Sequence, residues 1–256
     1  MALKGVLFDF SGTLFRIESA EAWLRATLAE KGLALPEPEL LRAAGELEAV
    51  GALPGGAPPL RPLPKDLAGL WPVRDRSAEL HRAAYTGASR LVPLPSLEPP
   101  AIEAPDLPGT PDPSHGVASR PDLYDALYDR HMTPAAWSPY PDAAETLAGL
   151  RERGIAVGVV SNIGWDLRPV FRAHGLDAHV GAYVLSYEHG VQKPDPRLFA
   201  LACDALGVAP EDTLMVGDNR VADGGAAALG CAVRFVEPLA VADRPDGLRP
   251  VLGLAG

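Results

Sequence analysis

The side chains able to do chemistry in this 256-residue chain fall into four short clusters. Asp9, Phe10, Ser11, Gly12 and Thr13 follow the apolar run Leu3 to Phe8. Ser161 and Asn162 follow Ile155 to Val160, and Gly217, Asp218 and Asn219 follow Thr213 to Val216, with Asp223 shortly after. Lys193 stands in a loop just before Pro196. Each has an ordinary role when taken alone. A carboxylate after a strand is commonly a turn or cap residue, Ser161 and Asn162 could cap a helix, and a loop lysine is usually solvated. Together they make two carboxylates, two small polar donors and a lysine, each placed where an apolar run ends. Such a set suits an anionic ligand, whose charge an acidic chain must meet locally.

The elements needed to bring these clusters together can be read from the periodicity. Apolar runs of four to six residues alternate with helical spacings from residue 142 onward. Helices are expected over Asp142 to Arg153, Arg168 to His174, Pro196 to Leu206 with Asp195 as N-cap, and Val221 to Leu229; strands are expected at Ile155 to Val160, Ala182 to Leu185, Thr213 to Val216 and Ala232 to Val236. Strands separated by helices of this length imply right-handed crossovers and a parallel sheet covered by helices on both faces. In a doubly wound sheet, ligands collect beyond the carboxyl ends of the strands, where all four clusters would sit.

The middle of the chain has another texture. Helical spacing is expected over Ser19 to Lys31, Glu37 to Val50, Ser77 to Tyr85 and Asp122 to His131, with a Gly/Pro-rich loop over residues 51 to 64. Residues 91 to 121 hold nine prolines, which remove backbone donors and block helices. That stretch is either a lid or binding element or a tolerated surface insertion.

Composition excludes several classes. A formal charge of -10 argues against nucleic-acid binding, which needs a basic face. The apolar runs fall well short of the roughly 18 residues of a membrane-spanning helix, and the opening run is too short for a signal peptide, so no membrane association and a cytoplasmic location are expected. Cys203 and Cys231 have no metal-ligand or redox spacing and read as buried thiols. The six histidines show no ligand spacing either. Trp23, Trp71, Tyr85 and Trp137 read as core or as pocket lining, and Trp165 follows Ser161 and Asn162 closely. The stretch after Val236 shows no chemistry, and oligomeric state is not encoded in any visible pattern.

The four clusters, in this order, resemble the motifs of the haloacid dehalogenase superfamily of hydrolases: Asp9-Phe10-Ser11-Gly12-Thr13, then Ser161-Asn162, Lys193-Pro194, and Gly217-Asp218-Asn219 with Asp223. The resemblance covers residues 1 to 15 and about 141 to 236. It implies an α/β fold with a Rossmann-like, doubly wound parallel-sheet core (1–15 and 141–256) and an inserted helical cap with Pro-rich loops (16–140), hinged near Phe15 to Ile17 and Trp137 to Pro141. It implies Mg2+ held by Asp9, the Ser11 carbonyl and Asp218. Asp9 would be the nucleophile, forming an aspartyl-phosphate. Thr13, Ser161, Asn162 and Lys193 would bind phosphate, and Asp223 would support the metal shell or orient Lys193. The substrate would be a small phosphorylated metabolite.

One position departs from the phosphatase pattern. Ser11 stands where phosphatases of the family carry a second aspartate as general acid, a role worth roughly 100- to 10,000-fold in rate. Phosphates with good leaving groups would need no such acid. Alternatively the cap could lend one, with Glu18, Glu21 and His81 as candidates. Other branches remain open: a 2-haloacid dehalogenase, which needs no metal; a phosphonate-cleaving enzyme, with Lys31 or Lys65 forming a Schiff base; or a binding module without turnover. Retention of Asp218 and Asp223 favours a metal site.

Overall fold

The computed structural model describes residues 3–94 and 122–254. Its centre is a five-stranded parallel sheet of β1 (Gly5–Phe8), β4 (Ala156–Ser161), β5 (Ala182–Leu185), β6 (Thr213–Gly217) and β7 (Ala232–Phe235), in the order β5-β4-β1-β6-β7. Phe8 pairs with Val159 on one side and Val216 on the other, so the three strands that carry catalytic candidates are neighbours. The order reverses at β1, which is where the expected crevice lies.

Successive side chains of a strand point to opposite faces. Val6 and Phe8 accordingly join one apolar cluster, and Leu7 joins a second with Val160, Met215, Leu198 and Phe199. Helices cover both faces, which explains why the strands read as continuous apolar runs rather than as alternating ones. The helices are α1 (Ala20–Glu30), α2 (Glu37–Ala49), α3 (Lys65–Leu70), α4 (Ala78–Ser89), α5 (Leu123–His131), α6 (Ala143–Glu152), α7 (Arg168–Ala173), α8 (Ser186–His189), α9 (Pro196–Leu206) and α10 (Pro250–Leu254). None is long and apolar enough to cross a membrane.

Several expectations are met to within a residue or two. Ser19, Ser77, Asp122 and Asp195 accept hydrogen bonds as N-caps of α1, α4, α5 and α9. Three elements differ from expectation. The expected helix Val221 to Leu229 is a 3-10 helix over Asp223–Leu229. That form eclipses side chains three apart, which costs little in a run of Gly224, Gly225, Ala226, Ala227 and Ala228. Helix α4 runs four residues beyond Tyr85. Finally, the two expected hinges pair with each other as an antiparallel ribbon, β2 (Phe15–Ile17) with β3 (Trp137–Pro139), where Arg16 faces Ser138. Three residues are too few for a periodic signal. Most of the proline-rich stretch, residues 95–121, lies outside the described residues.

The segment between the ribbon strands supplies α1 to α5 and a 3-10 helix over Trp71–Arg76. It shares a continuous apolar cluster with the sheet. Phe10, directly after the candidate nucleophile, is fully buried there, with ring centroids 4.4 Å from Trp137, 6.2 Å from Trp165 and 5.9 Å from Phe171.

Candidate active site

Asp9 continues β1 by one residue, its N–H donating to the Val216 carbonyl at 2.9 Å. Its Oδ1 accepts from Lys193 Nζ at 2.8 Å, and the same ammonium reaches Asp223 Oδ1 at 2.6 Å. The second Asp223 oxygen accepts from the Asn219 N–H at 2.9 Å. Lys193 and Asp223 are buried. Both oxygens of Asp223 are thus engaged, one by Lys193 and one by the Asn219 N–H. A Cβ on Gly217 would collide with the Asp223 carboxylate, which accounts for glycine at the end of β6.

Carboxylate oxygens of Asp9, Asp218 and Asp223 lie within 4.8 Å of one another. Three carboxylates therefore face one ammonium in a largely buried place, a surplus of two negative charges. The surplus perturbs the acids. Burial, partly opposed by Lys193 and reinforced by the charges of Asp223 and Asp218, pushes Asp9 up to about 8. Asp218 is also raised, by burial first and by Asp223 next. Burial acts to lower the Lys193 ammonium, but the carboxylates of Asp223 and Asp9 outweigh it and leave the ammonium raised. A divalent cation between Asp9 and Asp218 would neutralise this surplus, and the all-oxygen donor set suits a hard ion. The turn after β1 lies close against Asp218. Gly12 has φ of +75°, and a Cβ there would sit 2.5 Å from Asp218 Oδ2, so only glycine lets the turn after Ser11 approach Asp218 so closely.

The expected phosphate ligands divide into two groups. Ser161, at the end of β4, lines a cavity of about 490 Å3 together with Asp9, Ser11, Lys193 and Asp218. Asn162 also lines it, but its amide is used to hold Lys193: Nδ2 donates to the Lys193 carbonyl at 2.9 Å and Oδ1 accepts the Lys193 N–H at 2.7 Å. Thr13 is fully buried and does not line the cavity; its Oγ1 has no hydrogen-bond partner among the described residues.

Ser11 is turned away from proton chemistry. Its Oγ donates to the Gly55 carbonyl at 3.1 Å, tying the turn after β1 to the loop after α2. Gly55 has φ of +77°, and a Cβ there would lie 2.5 Å from Trp137 Cη2. Among the cap acids considered, Glu18 is bound by Arg130 at 2.8 Å and Glu21 by Arg25 at 2.9 Å, and neither lines the cavity. His81 does line it, as do Trp71, Tyr85, Trp137 and Trp165. Trp23 is instead core, its Nε1 donating to the Leu127 carbonyl at 2.8 Å.

Sequence reasoning passed over three residues here. Arg244, from the stretch read as empty, is buried over the Tyr140 ring, with its Nη1 donating to the Gly12 and Glu237 carbonyls at 2.7 and 3.0 Å and its Nη2 to the Thr13 carbonyl. It pins the turn that bears the site. Arg16 and Asp75 both line the cavity. None of the three carries a local signal, because each is positioned by contacts remote in sequence.

The family model of haloacid dehalogenase-like hydrolases matches residues 3–230. The chain belongs to this family. Among curated members of the haloacid dehalogenase-like hydrolases, it is similar to the phosphoserine phosphatase of Thermus thermophilus, with 46% identity over 33% of this chain and 34% of that protein. It is also similar to (S)-2-haloacid dehalogenase 1 of a Pseudomonas, with 36% identity over 46% of this chain and 51% of the relative. The chain spans a third to a half of the length of these relatives. A solved dehalogenase shares the fold, with a TM-score of 0.61 and 23% identity, covering 98% of this chain and 96% of the other.

Proposed function

We propose that this haloacid dehalogenase-like hydrolase is a Mg2+-dependent phosphatase acting on a small phosphorylated metabolite. The observation that supports the reading is the group Asp9, Asp218 and Asp223, gathered beside Gly12 with two more formal negative charges, when all three are ionised, than Lys193 can offset. A dehalogenase attacking carbon has no use for that surplus. Asp9, Asp218 and the Ser11 carbonyl would hold Mg2+. When bound, the ion would screen the nucleophile and the phosphoryl oxygens from each other's charge.

Asp9 attacks phosphorus and the ester oxygen leaves, giving an aspartyl-phosphate that water then opens. Lys193 offsets charge on Asp9 and on the phosphoryl group through the same ammonium. Ser161 donates to a phosphoryl oxygen, and Asn162 and Asp223 keep Lys193 in place. Residues from the 16–140 segment, Trp71, Tyr85 and His81 among them, face the leaving group and supply specificity.

The test is release of p-nitrophenol from p-nitrophenyl phosphate with and without Mg2+, set beside chloride release from 2-chloropropionate in EDTA. Metal-dependent phosphatase activity that is lost in Asp9→Asn is expected. Chloride release without metal would replace this reading by the dehalogenase one.

A further inference from the structure

Hydrolysis of an ester with a poor leaving group needs a proton on the departing oxygen, and Ser11 cannot give one. One other carboxylic acid lines the cavity besides Asp9 and Asp218. Asp75 is 4% exposed, and no hydrogen bond reaches its carboxylate among the described residues. The nearest basic nitrogens are Arg74 Nη2 at 3.6 Å and His81 Nε2 at 3.7 Å, beyond hydrogen-bonding distance.

Its placement is fixed from the sheet side. The 3-10 helix Trp71–Arg76 that carries it is anchored twice to the loops of the catalytic crevice: Ser186 Oγ donates to the Asp75 carbonyl at 2.5 Å, and Gln192 Nε2, next to Lys193, donates to the Pro72 carbonyl at 2.7 Å. Ser186 also accepts from the N–H of Ile163, the residue after Asn162. His81 packs directly on the backbone of Gly164 and is held through Nδ1 by the Tyr128 hydroxyl at 2.7 Å. Asp75 thus belongs, by contact, to the same crevice as Ser161 and Lys193, although it comes from the inserted segment.

We propose that Asp75 is the proton donor to the leaving oxygen, taking the role that residue 11 cannot fill. The inference rests on the phosphatase reading above. As Asp9 forms its bond to phosphorus, the ester P–O bond breaks with its electron pair passing to the leaving oxygen, and the Asp75 carboxyl proton moves there to give the alcohol. The Asp75 carboxylate then takes a proton from the water that attacks phosphorus. The bond to Asp9 breaks, inorganic phosphate departs, and both acids return to their starting forms. The groups facing Asp75 are Arg74, His81, Tyr85, Tyr128 and Lys193. Burial raises its pKa, with Arg74 and Lys193 opposing, which favours a carboxyl able to carry a proton.

The test compares Asp75→Asn and Asp75→Glu with the wild-type chain on two esters in Mg2+. Phenyl phosphate has a leaving group that needs a proton; p-nitrophenyl phosphate leaves as a stable anion. Asp75→Asn should lose about 100-fold or more in kcat on phenyl phosphate, in keeping with a missing general acid. On p-nitrophenyl phosphate it should give a stoichiometric burst of p-nitrophenol, then slow turnover as the phosphorylated enzyme accumulates. Asp75→Glu keeps an acid and should recover turnover of phenyl phosphate. Equal loss on both esters without a burst, or no loss on phenyl phosphate, overturns the role of Asp75 alone. If Asp75→Asn does not fold, phenyl phosphate turnover by Asp75→Glu decides: retained activity supports the role and abolished activity in a folded protein overturns it. Failure of the wild type on both esters removes the phosphatase reading and this inference with it.

Discussion

Asn162 holds both main-chain polar groups of Lys193, one through each end of its amide. The side chain at the end of one strand therefore fixes the backbone of a residue thirty-one positions later. The ammonium it steadies reaches Asp9 and Asp223.

Replacing Asn162 by Ala should consequently cost activity through misplacement of Lys193. A displacement of about 1 Å can cost roughly 100-fold, so kcat should fall roughly 10- to 100-fold, while circular dichroism shows a folded protein. Steady-state kinetics on p-nitrophenyl phosphate measure this. Unchanged kcat would mean that the two hydrogen bonds are not needed to place the ammonium.

Arg244 offers a second test, because its loss would strand buried carbonyl oxygens of Gly12 and Thr13. An unsatisfied buried polar group costs about 1–3 kcal/mol. Arg244→Ala should lower the free energy of unfolding by at least about 2 kcal/mol, read from urea titration. If the proposed Mg2+ dependence holds, it should also impair activation by Mg2+, since the turn bearing Ser11 and Gly12 would lose its clamp. A variant as stable as the parent would refute the clamp.

His131 makes stability depend on pH in a way that one substitution can isolate. Its ring is fully buried, its Nε2 has no partner among the described residues, and burial lowers it to about 3 from an ordinary value near 6.5. Above pH 6.5 neither state is protonated and the contribution is intact. Below it the unfolded chain takes up a proton that the folded one refuses, so stability is lost as pH falls toward 3. Asp9, raised by burial, acts with the opposite sign but is common to both proteins in a comparison. The stability of His131→Phe relative to wild type should therefore improve by up to about 1.4 kcal/mol for each pH unit below 6.5. Chemical denaturation at pH 7.5, 6 and 5 checks this, and parallel profiles would contradict it.

The sheet and its motif clusters were legible because each rests on local signals. An apolar run ending in Asp9 or Ser161 marks a strand and its mouth, and Asp195 before Pro196 marks a helix start. Parallel pairing then brings the mouths together whatever the sequence distance. The ribbon of Phe15–Ile17 with Trp137–Pro139 was not legible, since three residues carry no period and their partners lie more than a hundred positions apart. Asp75 and Arg244 were missed for a related reason. Their importance comes from a carbonyl held by Ser186 and from a turn around Gly12, contacts that neighbouring residues do not announce. Asn162 was found by type and spacing, but its role as a brace for Lys193 required the geometry.

The ribbon in which Arg16 faces Ser138 brings the two junctions of the 16–140 segment within one strand spacing, roughly 5 Å. Chain departure and return thus share a single docking point on the core. A change at either junction is therefore felt at the other, because the chain leaves and rejoins the core through two paired strands.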